Sequence, residues 1–328
     1  MPPTVSASAP ASSRCSTAAR LSIVVPCYNE EAVLPETLQR LAETLTRLTG
    51  LGKITAESEI VLVDDGSQDR TWELIREAHA RDARFRGVKL SANCGHQTAL
   101  IAGLWGASGD AVVSVDADLQ DDLGAMERMV DAYAAGHEIV YGVRTRRASD
   151  TQFKRSSAGA YYQLLKLFGV RIVRHHADYR LLSRRALDSL KQYSEVNLFL
   201  RGIVPLMGYR SAMVPYERAA RFAGESKYPL RKMLALAFDG ITSFSAVPLR
   251  LIAMLGLAVS ILSVGMMLWV FWVKLATTEA LPGWASSVVP IYFLGGIQLL
   301  SMGVLGEYVA KLYIESKRRP RFFIEETL

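Results

Sequence analysis

Acidic residues cluster at three places where a short apolar run gives out: Asn29-Glu30-Glu31 after LSIVVPCY, Asp64-Asp65 after EIVLV, and Asp116-Ala117-Asp118 after AVVSV. Carboxylates gathered on one rim repel one another unless a cation or hydrogen-bond donors compensate. In an Asp-x-Asp pair at a strand end, the bend lets both side chains face one ligand. Hard oxygen donors of this kind suit Mg²⁺ or Mn²⁺, which commonly bridge substrate phosphates, so the pattern implies a phosphate-bearing donor substrate. The alternative for each cluster is an ordinary solvated turn or helix N-cap, since Asp, Ser and Gly favour both. No GxGxxG follows the first run and no GxxxxGK[ST] occurs, which argues against dinucleotide and P-loop chemistry.

The elements that must position these residues alternate along residues 21–145. LSIVVPCYN, EIVLVDD, FRGVKLS, AVVSVDA and EIVYGVR read as strands. Between them EEAVLPETLQRLAETLTRLT places Val33, Leu34, Leu38, Leu41, Leu45 and Leu48 at helical spacing, and RTWELIREAHA, TALIAGLWGAS and LGAMERMVDAYAAG are also helical. Such alternation predicts a largely parallel sheet covered by helices, with ligands beyond the carboxyl ends of the strands. The acidic clusters fall at those ends.

Over 328 residues, 50% are hydrophobic and 21% charged, with a mean hydropathy of +0.15. That is too apolar for a disordered chain and too charged for a polytopic membrane protein. Lys and Arg total 38 against 32 Asp and Glu, a surplus too small to imply nucleic-acid binding. Three cysteines (Cys15, Cys27, Cys94) without a CxxC pair exclude a disulfide framework or zinc ribbon and fit a reduced compartment. Cys27 is expected only to pack.

Residues 1–20 are Ser/Ala/Pro-rich and read as a disordered tail rather than a secretory signal. The apolar excess lies at the other end. Between Arg250 and Lys274 are 23 uncharged residues, and between Glu279 and Glu307 there are 27. The first stretch, at 1.5 Å per residue, is roughly 35 Å long, enough to span a bilayer with some tilt. Two transmembrane helices are expected, at about 250–273 and 288–308. Arg231, Lys232 and Arg250 precede the first, and Lys311, Lys317, Arg318, Arg319 and Arg321 follow the second. The positive-inside rule then puts both ends of this hairpin in the cytoplasm, giving a multi-pass protein of the inner (plasma) membrane. Residues 226–248 read as an interfacial amphipathic helix region, and 311–328 as a basic cytoplasmic tail.

The segments VVPCYNEE, VLVDDGSQDRT, NCGHQTALIAGLWGASGD, VDADLQDD, DYRLLSRRA and RFAGESKY occur in this order, followed by two apolar stretches ending LGEYVAKLYIESKRRPRF. Together they resemble a family 2 glycosyltransferase, more narrowly the dolichol-phosphate mannose synthase-like group of polyprenyl-phosphate sugar transferases. RFAGESKY with FDGITSFSAVPLRL resembles the bacterial bactoprenol glucosyltransferases. The likeness covers residues 21–326 and implies an α/β fold, a GT-A catalytic domain over 21–225, before the C-terminal two-helix hairpin at 249–310.

The resemblance also implies site roles. Pro26, Tyr28, Glu30 and Asp65 match the nucleotide-sugar pocket; Asp116 matches the ribose and metal side, and Asp118 with the Gln120 carbonyl the metal ligands for Mg²⁺ or Mn²⁺. Asp178 of ADYRLLSR matches the carboxylate proposed as catalytic base, with a helix N-cap as its alternative. Arg201 and Lys227 are expected to reach the donor diphosphate. The acceptor is a lipid monophosphate, already mostly deprotonated near neutral pH because its second pKa is near 6. It needs cationic positioning more than a base. Arg144, with Lys154, Arg155 and Ser157, matches that task, or else forms a face for anionic lipid. His96, His175 and His176 lack ligand spacing and read as surface or structural. One departure stands out: the stretch around HHADYR is basic where relatives are small and Gly-containing.

The resulting expectation is inverting, metal-dependent transfer of a hexose from a nucleotide sugar, glucose from UDP-glucose, to a polyprenyl (undecaprenyl) phosphate at the cytoplasmic membrane face. Mannose or a modified sugar is the nearest alternative. A processive synthase would carry QxxRW and more spans, and the sequence has neither. A non-catalytic nucleotide-sugar-binding subunit is the alternative of another class. The resemblance further suggests a homo-tetramer, for which Gly295, Gly296, Gly303 and Gly306 would permit close helix packing.

Overall fold

Strand β1 (Leu21–Cys27) is buried at every position, so both faces of the sheet are covered around it. The computed structural model describes residues 18–144, 176–195, 200–217, 247–276 and 284–328. The chain forms two compact units, and the C-terminal residues 320–328 belong to the first of them.

In the first unit β1 is followed by α1 (Leu34–Gly50), β2 (Glu59–Asp64), α2 (Thr71–Arg81), β3 (Phe85–Leu90), α3 (His96–Gly106), β4 (Ala111–Ser114), α4 (Gly124–Ala134) and β5 (Ile139–Arg144). These are the elements expected from the hydrophobic pattern. Beyond them lie β6 (His176–Ser183), α5 (Arg184–Leu190), α6 (Leu200–Leu206), β7 (Ser211–Tyr216) and, at the C-terminus, β8 (Ile324–Thr327). The eight strands form one sheet in the order β7-β5-β6-β4-β1-β2-β3-β8. Parallel pairing links β4, β1, β2 and β3, and also β5 and β7, whereas β6 and β8 run antiparallel to their neighbours.

Asp178 lies on a strand, β6, which sets aside its alternative as a helix N-cap. The basic tail expected at 311–328 is divided: it starts inside a helix and ends as β8, whose Glu326 accepts from the Trp72 indole and the Arg76 guanidinium. The edge of β3 is thereby covered, which removes an exposed strand edge.

Helix α3 lies against β1 and β2 so closely that a Cβ at Gly103 would come within 2.4 Å of Val24 and 2.7 Å of Val63. Only glycine allows that approach. At the opposite rim the buried Glu59 carboxylate accepts from Ser22 Oγ (2.7 Å), Ser108 N–H (2.8 Å) and Oγ (2.6 Å), and Arg86 (3.1 Å).

The second unit carries two long helices, α7 (Val247–Ala276) and α8 (Trp284–Ser316). Among the described residues one helical stretch, Phe293–Ser316, is long and apolar enough to cross a membrane, and Val247–Val259 is a shorter apolar helix. The second expected span, about 288–308, overlaps this stretch of α8. The first, about 250–273, falls on α7, whose apolar helix Val247–Val259 is too short to cross, so among the described residues one span stands where two are expected. The expected interfacial helix at 226–248 lies almost wholly outside the described residues.

Burial would raise the Glu59 carboxyl, but its hydrogen bonds to Ser108, Ser22 and Arg86 outweigh it and bring it from 4.5 down to about 2. The stabilisation is therefore complete above the ordinary value of 4.5 and is withdrawn as pH falls toward 2. Glu59→Ala is expected to cost about 3 kcal/mol at pH 7, and the gap between its thermal melt and that of the wild type should narrow at pH 3.

Candidate active site

The loops after β1 and β2 are bonded to each other. Main-chain N–H groups of Asn29, Glu30 and Glu31 donate to Ser67 Oγ (3.0 Å), Thr71 Oγ1 (2.9 Å) and Asp69 Oδ2 (3.1 Å). In return Gln68 and Arg70 N–H donate to Asn29 Oδ1 (2.8 Å) and Glu31 Oε2 (3.1 Å). For Asn29 and Glu31 the plain reading as turn residues therefore fits, and Asp69 is their partner across the two loops. Gly66, at φ +68°, sits so near Asn93 N that a Cβ would come within 2.6 Å, which brings the loop before α3 alongside.

Asp65 then closes that loop. Its two buried carboxylate oxygens accept from the N–H groups of Cys94 (2.7 Å) and Gly95 (2.9 Å). Burial pushes its carboxyl up, and those two donors pull it back. Of the other residues expected around a nucleotide, Pro26 is packed inside β1 opposite Val63, Tyr28 is exposed, and Glu30 is half-buried.

Antiparallel β6 supplies the next group. It pairs Arg180 with Ser114 of β4, so the register carried two residues on aligns Asp178 with Asp116. Asp178 is buried and held by two arginines. Arg180, 1% exposed, bonds Oδ1; Arg201, on α6, reaches Oδ2 at 2.9 Å and Oδ1 at 3.3 Å. Burial works to raise this carboxyl, but the Arg180 and Arg201 charges win and hold it well below the ordinary carboxylate range. His96, at the start of α3, lies with Nε2 3.6 Å from Asp116 and 3.9 Å from Asp178.

Asp116 has the opposite environment. Burial pushes its carboxyl up to about 6; His96 opposes the rise, and the charges of Asp121, Asp178 and Asp118 add to it. Next to it Leu119 adopts φ +54°, a left-handed conformation costly for a branched side chain, and Asp118 Oδ1 accepts the Gln120 N–H at 3.2 Å. A half-buried carboxyl crowded by three others is a hard-oxygen donor set in want of positive charge, so the residues fit a divalent cation. Among the described residues no three His, Cys, Asp or Glu side chains gather on one metal position. A cation held by Asp116 and Asp118 would complete its shell with the Gln120 carbonyl, substrate oxygens and water.

At the end of β5, Arg144 donates to Tyr216 Oη (3.1 Å), which donates to the buried Asp121 (2.5 Å); Arg144 also stands 3.5 Å from Asp121. Its charge is thus fixed at the rim by two partners.

A family model described as glycosyl transferase family 2 matches residues 22–191. The chain is 48% identical over 308 residues to YkoT, an uncharacterized glycosyltransferase of Bacillus subtilis, covering 93% of this chain and 91% of that one. It is 38% identical over 307 residues to the bactoprenol glucosyl transferase of Shigella phage SfV, covering 93% and 98%. With a prophage bactoprenol glucosyl transferase homolog of Escherichia coli it shares 36% over 310 residues, covering 93% and 98%. This chain belongs to glycosyl transferase family 2. It is an enzyme, and the mixed, mostly parallel sheet is that of a GT-A glycosyltransferase.

In this glycosyltransferase the structure brings together Asp116, Asp178 and Arg201 from the expected set, and adds Arg180 and His96. Arg201, expected at the donor diphosphate, lies on Asp178. His96, read from sequence as surface or structural, stands between Asp116 and Asp178. Arg180 belongs to the DYRLLSRRA segment, and a buried arginine two residues from an acid on a strand is the signal that marks it. Lys154, Arg155, Ser157 and Lys227 lie outside the described residues, as does His175.

The two arginines should separate on substitution. Arg180→Met leaves Asp178 buried beside one fewer cation and is expected to cost about 3–5 kcal/mol of stability. Arg201, 39% exposed, should cost under about 1 kcal/mol as Arg201→Ala, while its turnover falls. Thermal melts of both variants, beside a glycosyl-transfer assay, check this.

Proposed function

We propose that the enzyme transfers glucose from UDP-glucose to the phosphate of a polyprenyl phosphate of the undecaprenyl type, with inversion, at the cytoplasmic face of the membrane. The observation that carries this reading is the grip of Arg180 and Arg201 on Asp178. A carboxylate so held is a poor proton acceptor, and hence a poor base for a sugar hydroxyl. A phosphate monoester asks for none, because its second pKa near 6 leaves it mostly dianionic at neutral pH. Relatives named bactoprenol glucosyl transferases, at 36–38% identity over 93–94% of this chain, support that acceptor and that sugar. The apolar stretches in α7 and α8 support a membrane anchor, and their flanking charges favour a hairpin with both ends in the cytoplasm.

In this reading Tyr28 and Glu30 receive the nucleoside, on a loop whose shape Pro26 and Asp65 fix. Asp116 and Asp118, with the Gln120 carbonyl, hold Mg²⁺ or Mn²⁺, which when bound neutralises the leaving diphosphate as a Lewis acid. Asp178 stays ionised and orients the sugar and acceptor without taking a proton. Arg144, with Lys154, Arg155 and Ser157, positions the acceptor phosphate for attack opposite the leaving group, and Arg201 and Lys227 serve the donor diphosphate. The small residues of α8 would let copies pack closely as a homo-oligomer, a tetramer in this reading.

Purified full-length protein in detergent, given polyprenyl phosphate, Mg²⁺ or Mn²⁺ and a panel of radiolabelled nucleotide sugars, is expected to label the lipid phase from UDP-glucose, and EDTA should abolish the label. Asp118→Ala should lower turnover at least about 100-fold with an unchanged melting temperature. Label from another donor would replace the sugar; no lipid label from any donor would overturn the reading.

A further inference from the structure

His96 has no task in the transfer reaction as proposed, and its position gives it one. Its side chain is 46% exposed, and Nε2 lies 3.6 Å from Asp116 Oδ1 and 3.9 Å from Asp178 Oδ2. Both separations exceed a hydrogen bond. The ring stands beside two carboxylates and is bonded to neither. A histidine that served to hold its loop would bond the loop. Here the loop is held without it: Cys94 and Gly95 N–H groups lie on Asp65, and the Gly95 carbonyl accepts from Thr98 and Ala99. The fold therefore fixes the backbone at residue 96 and leaves the imidazole to face the rim.

The surroundings select what it can bind. Ionised Asp116, Asp118 and Asp178 offer acceptors only. The oxygen of Asp178 that faces His96 is the one that Arg201 reaches at 2.9 Å, whereas the buried Arg180 bonds the other oxygen. An imidazole and a half-exposed guanidinium thus converge on one anionic oxygen at the mouth of the site. Arg180 anchors Asp178 from within, so the two outer groups can turn to an incoming anion without freeing the carboxylate. The anionic oxygens that glycosyl transfer brings there belong to phosphate.

We propose that His96 contacts substrate, donating its Nε2–H to a phosphate oxygen at the reacting centre jointly with Arg201, while Asp116 and Asp178 set the position of the ring. The oxygen belongs to the donor diphosphate or to the acceptor monophosphate, and the chemistry of recognition is the same. The proposal rests on the transfer reaction proposed above. One preorganised donor to developing charge is worth about 10²–10³-fold in rate, so His96→Ala should lower kcat/KM by about 100-fold. His96→Gln, which keeps an N–H at similar reach, should recover at least about tenfold of that.

The test uses full-length wild type, His96→Ala and His96→Gln in detergent, with steady-state transfer, calorimetric binding of UDP in the presence of Mn²⁺, and thermal melts. Weaker UDP binding by His96→Ala with restoration by Gln assigns the donor diphosphate. Unchanged UDP binding with a raised KM for polyprenyl phosphate alone assigns the acceptor. Activity and UDP binding within about twofold of wild type would overturn the proposal, as would a loss that tracks a lowered melting temperature and that Gln does not restore. Wild type that binds UDP but labels no lipid would fault the transfer reading instead, and UDP binding by the two variants would still decide the donor arm.

Discussion

A carboxylate buried beside other carboxylates cannot stay ionised without help, and the help that Asp178 receives shapes the whole rim. Arg180 is two residues along the same antiparallel strand, buried to 1% exposure, and Arg201 comes from a short helix that follows. Strand β6 can carry this pair only because it is inserted between β4 and β5 in the opposite sense. That reversal brings its first residues to the carboxyl ends of the parallel strands. The same insertion places Asp178 beside Asp116 and divides the charge: Asp178 has its cations built in, whereas Asp116 is left among acids with its carboxyl near 6.

This asymmetry fits a division of work. A carboxylate with permanent cations keeps one charge state and can orient a substrate, and one without them is suited to a cation that arrives with the nucleotide. Asp178, held by its two arginines, is a poor proton acceptor, which suits an acceptor that brings its own negative charge. The opposite rim carries Glu59, a carboxylate with every partner built in, and there the consequence is stability alone.

The alternation of apolar runs with helical spacing made β1 through β5 and their helices legible, because β1, β2 and β4 are buried at every position and α1, α2 and α4 each bury one stripe. Helix α3 is an unbroken apolar run buried from Ala99 to Leu104. The three later strands were not legible. HADYRLLS carries a buried Asp and Arg, SAMVPY alternates in burial only over its last residues and holds a proline on an edge, and IEET is short and acidic. At the site, residue type and spacing pointed to Asp116 and Asp118, but the same signal was equally strong at Asn29 and Glu31, which turn out to bond the neighbouring loop. His96 could not be found by spacing, since both of its carboxylate neighbours are distant in sequence and are brought side by side only by the β4–β6 register. The family resemblance supplied Asp178 and Arg201 as positions, and only the structure supplied Arg180 and the contact of both arginines with Asp178 that defines its chemical state.

The most direct test is the acid limb of kcat/KM with two acceptors, polyprenyl phosphate and the corresponding thiophosphate, whose last proton leaves at lower pH. If the ionised acceptor attacks without a protein base, the limb falls near pH 6 with phosphate and moves to lower pH with thiophosphate. A limb that stays at one pH for both acceptors would mean that a protein carboxyl takes the proton, and would contradict a purely orienting role for Asp178.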